Sequence, residues 1–304
     1  MEFVTFGIIV DDVALPDGRV ARDLLGGGGP QTAFGMRLWA GRVGLAARVG
    51  NDLPDAAWAW LRASGVDTEG VRVTEYPTLR AWQHVSAEGG RRHEWQTPPA
   101  AIDAQLARNV ADLPEAYRQA RGWHLGLHPE EPPLEFMAEL RALGGLVSVE
   151  PFRAAQQTPA PEALRALLAA TDIFSPNLAG ARSLVGPGTP EQVIERLLDA
   201  GATVVALRLG AEGSLVADGR GGQTARIPAL PVVVVDPVGA GNAYCGGFLT
   251  GWVETGSVAE AGLRGAVAAS FLLEQVGLPD GTRAAEWARR RRERMEALRK
   301  GSNW

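Results

Sequence analysis

Residues 232–247, "VVVVDPVGAGNAYCGG", hold the residue types most suited to chemistry in this sequence. Four valines lead to Asp236, then to Gly239, Ala240 and Gly241, and then to Asn242. Such small residues let backbone N–H groups point at a ligand, and a helix opening at Asn242 adds the positive end of its dipole. Residues 239–242, here called the glycine turn, are therefore predicted to bind an anion such as phosphate. The alternative is a tight strand-to-helix turn without a ligand.

Two common phosphate-binding or covalent motifs do not fit this chain. A GxGxxG dinucleotide fingerprint needs a third glycine at position 244, where Tyr244 stands, and it should open a βαβ unit rather than lie near the C-terminal end. Lys300 is the one lysine of the sequence. This excludes a P-loop lysine and argues against a Schiff base, so backbone amides and arginines must bind any phosphate.

The composition favours an ordinary globular protein that handles small molecules. The chain has 304 residues, of which 46% are hydrophobic and 21% charged, with a net charge of −5. The acidic balance argues against nucleic acid as a partner. Cys245, the single cysteine, excludes an internal disulfide and CxxC sites. No apolar run has membrane length and no signal peptide is visible, so we expect a cytoplasmic protein without a membrane partner.

The elements that must position the glycine turn alternate along the chain. Apolar runs typical of strands begin near residues 3, 43, 122, 145, 172, 202 and 231, and amphipathic stretches typical of helices lie between them, for example "PDAAWAWLRAS" and "PEQVIERLLDA". This alternation predicts an α/β protein with a mainly parallel central sheet between two helical layers, as one domain over residues 1–304.

One region breaks that alternation. Residues 71–97 contain two strand-like runs around a Glu-Gly-Gly turn, with polar and aromatic residues interleaved. We expect a hairpin that stands off the core as a small β lid, with residues 14–25 adding an edge strand. The arginine-rich tail "TRAAEWARRRRERMEALRK" predicts a solvated surface helix, and binding of nucleic acid is the minor alternative.

Several segments together resemble the ribokinase-like (PfkB) carbohydrate and nucleoside kinases. "DPVGAGN" is similar to that family's Asp-Thr-x-Gly-Ala-Gly-Asp signature. "GIIVDD" resembles its first strand, and "GGGGPQTAFGMRLWAGRVGLAARVGNDLPD" resembles its di-glycine substrate motif. "SVEPFR", "FSPNLAG" and "LRLGAEGSLV" are similar, in order, to its Asp-Pro-x-x-Arg, Pro-Asn-x-x-Glu and Gly-x-x-Gly segments. The likeness covers nearly the whole chain and implies a three-layer αβα ribokinase-like fold.

The resemblance also implies a reaction, in which a substrate hydroxyl attacks the γ-phosphate of ATP, with Mg²⁺ if the protein is active. Gly239, Ala240 and Gly241 would stabilise the transferring charge, and Asn242 would occupy the base position. The residues implied at the nucleotide are Asn177, Arg208, Gly210, Gly213 and Asp236, with Asp236 supporting the turn. Those implied at a sugar or nucleoside are Asp12, Gly27, Gly28, either Gln31 or Thr32, Trp82, His124 and Arg153. Family members pair through the lid, which implies a homodimer.

Two departures from the family pattern remove carboxylates. An amide takes up no proton at neutral pH, so Asn242 can bind a hydroxyl but cannot act as a general base. Gly180 stands where the Pro-Asn-x-x-Glu glutamate would help organise Mg²⁺. Loss of a general base lowers the rate by about 10²–10⁴, which is less than the total rate acceleration of a typical enzyme. Two hypotheses follow: a weak or atypical kinase, and an inactive pseudokinase that binds nucleotide or sugar as a regulator.

Other residues have weaker claims. His124 and His128 are four apart, but no further ligands accompany them, so a place near the substrate is preferred to a zinc site, and no metal-ligating residue is assigned. Trp82 and Trp95 lie in the predicted lid, where they would face the substrate, whereas most tryptophans fit core packing. Cys245 follows the glycine turn, where a helix dipole would activate a thiol, but buried packing is preferred.

Overall fold

A computed structural model describes residues 1–86 and 91–301, without the side chains of residues 91 and 301. Its strands are β1 Phe3–Phe6, β2 Ile9–Ala14, β3 Val20–Gly26, β4 Val43–Val49, β5 Val71–Val73, β6 Arg80–Val85, β7 Arg91–Trp95, β8 Gly122–Leu127, β9 Leu146–Pro151, β10 Ile173–Phe174, β11 Val204–Arg208, β12 Ser214–Asp218 and β13 Gln223–Ile227. Its α-helices are α1 Gly28–Arg37, α2 Asp55–Ala63, α3 Pro99–Leu106, α4 Glu115–Arg118, α5 Leu134–Ala142, α6 Pro161–Ala169, α7 Leu178–Val185, α8 Pro190–Asp199, α9 Ala240–Thr255, α10 Val258–Leu273 and α11 Ala284–Gly301. Short 3₁₀ helices span Val110–Asp112 and Gly210–Glu212.

A large sheet forms the centre of the molecule. Its nine strands run in the order β13-β12-β11-β10-β9-β8-β1-β4-β5. The pairs from β11 to β5 are parallel, and only the β11-β12 and β12-β13 pairs are antiparallel. The predicted α/β class with a mainly parallel sheet is confirmed.

Helices cover both faces of this sheet because its strands are apolar on both sides. In β1, Phe3 packs into one core with α1, α9, α10 and α11, whereas its neighbour Val4 packs into the other with α5, α6, α7 and α8. Successive strand residues point to opposite faces, so an uninterrupted apolar run requires two helical layers. Helix starts are marked in the sequence: Thr189 and Gln192 form a capping box at the start of α8.

A second sheet of four strands, in the order β3-β2-β6-β7, stands beside the large one. Gly7, with a φ of 86°, separates β1 from β2, so the first apolar run serves both sheets. β2 and β6 are parallel, and the outer pairs are antiparallel. Residues 71–73, which were predicted to belong to the lid, instead pair with β4 at the edge of the large sheet. The predicted turn at residues 88–90 lies outside the described residues.

The prediction of a strand at 231–236 is wrong. Pro231 donates no N–H to a sheet, and Val233 and Val234 are 81% and 58% exposed, where a buried strand would cover them. The segment is attached elsewhere, since the Val235 N–H donates to the Leu273 carbonyl at the end of α10 over 2.7 Å. The valines therefore lead into the glycine turn as an extended connection.

The predicted C-terminal helix is present as α11, and it packs on the core through Trp287, Met295 and Leu298. Arg290 and Arg294 both contact Glu274. Among the helices of the described residues, none combines the length and apolar character that a membrane crossing requires.

Candidate active site

The carboxyl ends of the central strands open into a cleft with a volume of about 250 Å³, close to the lower end of the range for small-molecule sites. It lies between the large and the small sheet. The glycine turn forms one wall, and the lining residues are Ile9, Asp11, Gly27, Gly28, Gln31, Gln83, His93, Trp95, Leu106, His128, Glu150, Pro151, Phe152, Arg153, Asn177, Arg208, Pro237, Val238, Gly239, Gly241 and Asn242.

The glycine turn has the geometry of an anion site. Gly239 has a left-handed backbone, with φ 84° and ψ −12°, and precedes the first residue of the 16-residue helix α9. The first amides of a helix have no partner within it, and the helix dipole places positive charge there. The Asp236 carboxylate accepts the Val238 N–H over 2.9 Å and so braces the approach to the turn.

Arg208 supplies the cation beside this turn. Its side chain, 14% exposed, ends so close to Gly241 that a Cβ at position 241 would lie 1.9 Å from Nη1. Nη2 is 2.7 Å from Glu150 Oε2 and donates to the Ser175 carbonyl over 2.9 Å. The guanidinium is therefore fixed in position, in a protein whose single lysine is far away in sequence.

The Arg208–Glu150 pair gives a prediction about stability. Both side chains are largely buried, and removing one partner of a buried pair leaves the other charge uncompensated. We expect Glu150→Gln to lower the free energy of unfolding by about 3 kcal/mol in urea denaturation. Glu162→Gln, which breaks the exposed pair with Arg165, is the matched control and should cost less than about 0.5 kcal/mol. Equal effects of the two changes would contradict the buried pairing.

Asn242 is held by a second amide. Its Nδ2 donates to Gln31 Oε1 over 2.5 Å, and Gln31 also lies directly under Gly239. Of the two candidates Gln31 and Thr32, Gln31 lines the cleft, whereas the Thr32 side chain is fully buried and does not line it. The base position therefore carries two linked amides.

The small sheet supplies the opposite wall. The Asp11 carboxylate accepts from Gln83 Nε2 over 2.8 Å and from the Gly27 N–H over 3.2 Å. His93 and Trp95 on β7 line the same cleft and pack edge to face, with ring centroids 4.6 Å apart. A carboxylate, an amide and an aromatic pair together provide hydrogen bonds and stacking surface for a polar ring.

Comparison with known proteins decides the family. The model of the pfkB family of carbohydrate kinases matches residues 4–284. The chain belongs to the PfkB family. It is 27% identical over 255 residues to cytidine kinase from Thermococcus kodakarensis, covering 83% of this chain and 88% of the relative. It is also 27% identical over 276 residues to 2-dehydro-3-deoxygluconokinase from Bacillus subtilis, covering 84% and 83%.

A solved structure shares the fold. The putative ribokinase II of Escherichia coli, in complex with ATP and Mg²⁺, superposes with a TM-score of 0.73 at 21% identity and covers 96% of this chain and 99% of its own. The resemblance to ribokinase-like kinases, and the fold it implied, are confirmed.

Two PfkB substrate residues implied by the sequence lie on the wrong face of the small sheet. Adjacent strand residues point to opposite sides, so Asp11 faces the cleft and Asp12 does not. The Asp12 carboxylate instead accepts from Arg22 Nη1 over 3.1 Å and from the Asp23 N–H over 3.0 Å. Likewise Gln83 faces the cleft, and Trp82 lies under the Arg22 guanidinium, 5.0 Å from its ring centroid.

His124 is also displaced from the predicted position. It is 1% exposed and lies behind Glu150, with Nδ1 2.9 Å from Ser148 Oγ. Strand β8 ends at Leu127, so the alternation of strand side chains does not apply to His128, which lines the cleft. Burial lowers the pKa of His128, and the nearby Arg153 guanidinium lowers it further.

Three residues implied at the nucleotide, Gly210, Gly213 and Asp236, do not line the cleft, and neither does Ala240 of the glycine turn. Gly210 and Gly213 have φ values of 63° and 86° and shape the turn from β11 to β12. A Cβ at Gly213 would lie 2.0 Å from the Ile227 carbonyl oxygen, so this glycine is required by the hairpin itself. Asn177 does line the cleft, and it caps α7 by accepting the Gly180 N–H over 2.7 Å.

The residues present do not make a Mg²⁺ site of their own. Mg²⁺ prefers carboxylates and water, but Gly180 has no side chain, and Glu150 is paired with Arg208. In the described part of the chain, the one group of three potential ligands is His124, Glu150 and Cys245, which is a softer donor set beside a guanidinium. These donors therefore do not fit a resident Mg²⁺ ion.

The Cys245 thiol should be unreactive in the folded protein. It is 1% exposed, and burial, followed by the nearby Glu150 charge, raises its pKa from 9.0 to about 12, which overrides any helix-dipole activation. The thiolate fraction is then about 10³-fold smaller than for a free thiol. We expect negligible labelling by a disulfide reagent at pH 8 and one thiol per chain in denaturant. Rapid labelling of the native protein would show that this helix start is open.

Several residues of the cleft were missed in the sequence, chiefly Asp11, Gln83, His93, Leu106, Glu150 and Phe152. Alternation along β2 and β6 places Asp11 and Gln83 on one face and Asp12 and Trp82 on the other, but the sequence does not show which face meets the cleft. Leu106 is the last residue of α3 and Phe152 follows the end of β9, so no periodic pattern identifies either of them.

Proposed function

We propose that this PfkB chain is an ATP-dependent carbohydrate kinase that transfers the γ-phosphoryl group to a hydroxyl of a sugar or nucleoside. The observation that carries the proposal is the meeting of two unlike walls in one cleft. On one side lie the left-handed Gly239 turn and the fixed Arg208 cation, and on the other lie Asp11 and Gln83. Phosphoryl transfer depends mainly on such positioning and charge stabilisation.

ATP is the proposed donor. The glycine turn provides amides and a dipole for its phosphates, and Arg208 adds a positive charge where negative charge moves during transfer. The Escherichia coli neighbour with ATP and Mg²⁺ supports this choice. Because the chain's own carboxylates do not assemble around a metal, any Mg²⁺ is proposed to arrive on the nucleotide.

The acceptor is proposed to lie under the small sheet, which then acts as a lid. Asp11, Gln31 and Gln83 would bind its hydroxyls, and the His93–Trp95 pair would stack on a sugar face or a base. Arg153 lines the same cleft and pairs with Glu130 over 3.0 Å. The cytidine kinase and sugar-acid kinase relatives support a small polar acceptor of this kind.

The activity is proposed to be slow. Asn242 can hold the attacking hydroxyl but cannot remove its proton. The proton therefore leaves without the general-base catalysis that the aspartate of the family signature would provide.

Two measurements test the proposal. Calorimetry should show ATP and ADP binding, and ADP release should follow addition of sugars, sugar acids and nucleosides tested one at a time. Turnover with one class of acceptor supports the kinase. Nucleotide binding without any turnover would favour the pseudokinase, and a protein that binds no nucleotide would overturn both.

A further inference from the structure

A second cavity lies behind the cleft, on the far side of the chain segment that leaves α3. Its volume of about 50 Å³ suits a small ion but not a nucleotide. Its walls come from β1, β4 and β5 and from residues 105–113. Leu106 lines both this cavity and the cleft, so one segment separates the two.

Positive charge is in excess around this cavity. Three guanidinium groups line it, those of Arg48, Arg72 and Arg108, against the single carboxylate of Asp112. Arg48 Nη2 and Arg72 Nη1 share that carboxylate, at 2.9 and 2.7 Å. The charges that line the cavity therefore sum to about +2.

Arg108 is the guanidinium that these pairings omit. Throughout residues 1–86 and 91–301 it forms no ion pair, and its one hydrogen bond is donated by Nη2 to the Gly126 carbonyl over 3.2 Å. Its guanidinium also lies over the Phe6 ring, 5.9 Å from the centroid. Burial lowers the pKa of Arg108 to about 10.

Arg108 is partly buried, so its charge is stabilised when an anion binds beside it. Removing a charge from water has a large cost, which a paired carboxylate or a bound counter-ion offsets. Arg48 and Arg72 have such a partner, and Arg108 does not. A guanidinium also presents paired N–H donors that match a carboxylate or phosphate group.

We propose that this cavity binds a small oxyanion, such as inorganic phosphate or a compact di- or tricarboxylate, with Arg108 as its principal contact. The site is separate from the glycine turn, and the proposal does not depend on the kinase reaction. Because residues 105–108 form the partition, the bound anion would fix the Leu106 wall of the cleft.

The test is thermal unfolding of the full chain with inorganic phosphate as probe, against sodium chloride at equal ionic strength. We expect phosphate to raise Tm saturably in the native protein, since a ligand that binds only the folded state stabilises it. The rise should persist with saturating ADP and should disappear in Arg108→Gln. Without phosphate, Arg108→Gln should unfold at about the same temperature as the native protein, because the partly buried Arg108 forms no ion pair in the described part of the chain. Citrate and succinate in parallel runs distinguish phosphate from carboxylate ligands.

Three results would overturn the proposal. The first is an unchanged phosphate effect in Arg108→Gln. The second is a phosphate effect that ADP abolishes, which would place the anion at the glycine turn. The third is a lower Tm of Arg108→Gln without any anion, which would make Arg108 a structural residue. Arg165→Gln, at an exposed arginine, is the control for a general loss of positive charge.

Discussion

Replacing Gly239 with alanine is expected to lower the phosphoryl-transfer rate by about 10²–10³, the effect of losing one donor from an anion site. The backbone at this position has φ 84°, a region that an L-residue with a Cβ occupies at a cost of about 1–2 kcal/mol. The added Cβ would also lie 2.4 Å from Gln31 Cδ. Relief of that contact must move either the turn or Gln31, and both are fixed to Asn242.

Gly256 offers a matched control within the same helix. It ends α9 with φ 63° and ψ 13°, again left-handed, and no atom lies within 4 Å of its would-be Cβ. Gly256→Ala therefore carries a similar backbone strain without touching the glycine turn. We expect Gly239→Ala to lose at least as much stability in urea as Gly256→Ala, and only Gly239→Ala to lose nucleotide affinity by calorimetry and turnover by ADP release.

The comparison separates strain from function. If Gly256→Ala lost turnover to the same extent, the effect would come from the stability of α9 rather than from amides aimed at a phosphate. If Gly239→Ala kept nucleotide affinity and rate, the glycine turn would be only a connection, as the alternative interpretation of the sequence holds.

The sequence predicts the elements that local rules govern. Alternating apolar runs and amphipathic stretches identify the layers, because helix and strand periods differ and each buries a defined face. The glycine turn is equally visible, since left-handed backbone and close approach both select glycine. Asn242 is also visible in the sequence, because the residues around it match the family signature while an amide stands where the signature has a carboxylate.

The same rules fail where a residue's role depends on contacts far along the chain. Asp11 and Asp12 are chemically identical, and which of them lines the cleft depends on which face the small sheet turns towards the large one. The run at 232–235 has the composition of a buried strand, yet it does not extend the sheet beyond β13, and Val235 donates instead to the Leu273 carbonyl at the end of α10. Tertiary pairing overrides propensity at both places.

Gln31 shows most directly what the sequence alone does not predict. It is 211 residues from Asn242 in sequence, and its hydrogen bond to that residue follows only from the packing of α1 against α9. The close approach of these helices depends on glycines, since a Cβ at Gly35 or Gly246 would lie within 2.2 Å of the facing backbone. The hydrogen bond between the two amides was therefore not predictable, although both residues were named from the sequence as candidate site residues.

Restoring a carboxylate at position 242 is expected to accelerate transfer to the best acceptor by about 10², the lower bound for a general base. Gln31 can accommodate Asn242→Asp without moving, because rotation of its amide exchanges the acceptor oxygen for a donor nitrogen of nearly the same size. Position 242 is the third residue of α9, where a negative charge gains about 0.3–1 kcal/mol from the helix dipole. The variant should thus be at least as stable as the native chain.

Asn242→Ala distinguishes the base from the hydrogen bond. It removes the contact with Gln31 and supplies no proton acceptor, so we expect its turnover to fall below the native value while Asn242→Asp rises above it. The rate of the Asp variant should also increase with pH as its carboxyl group ionises, whereas the native rate should lack that ionisation. If Asn242→Asp is no faster than the native chain although both bind nucleotide, proton removal does not limit transfer. A group elsewhere in the cleft, with Asp11 the first to replace by asparagine, would then be the acceptor of the proton.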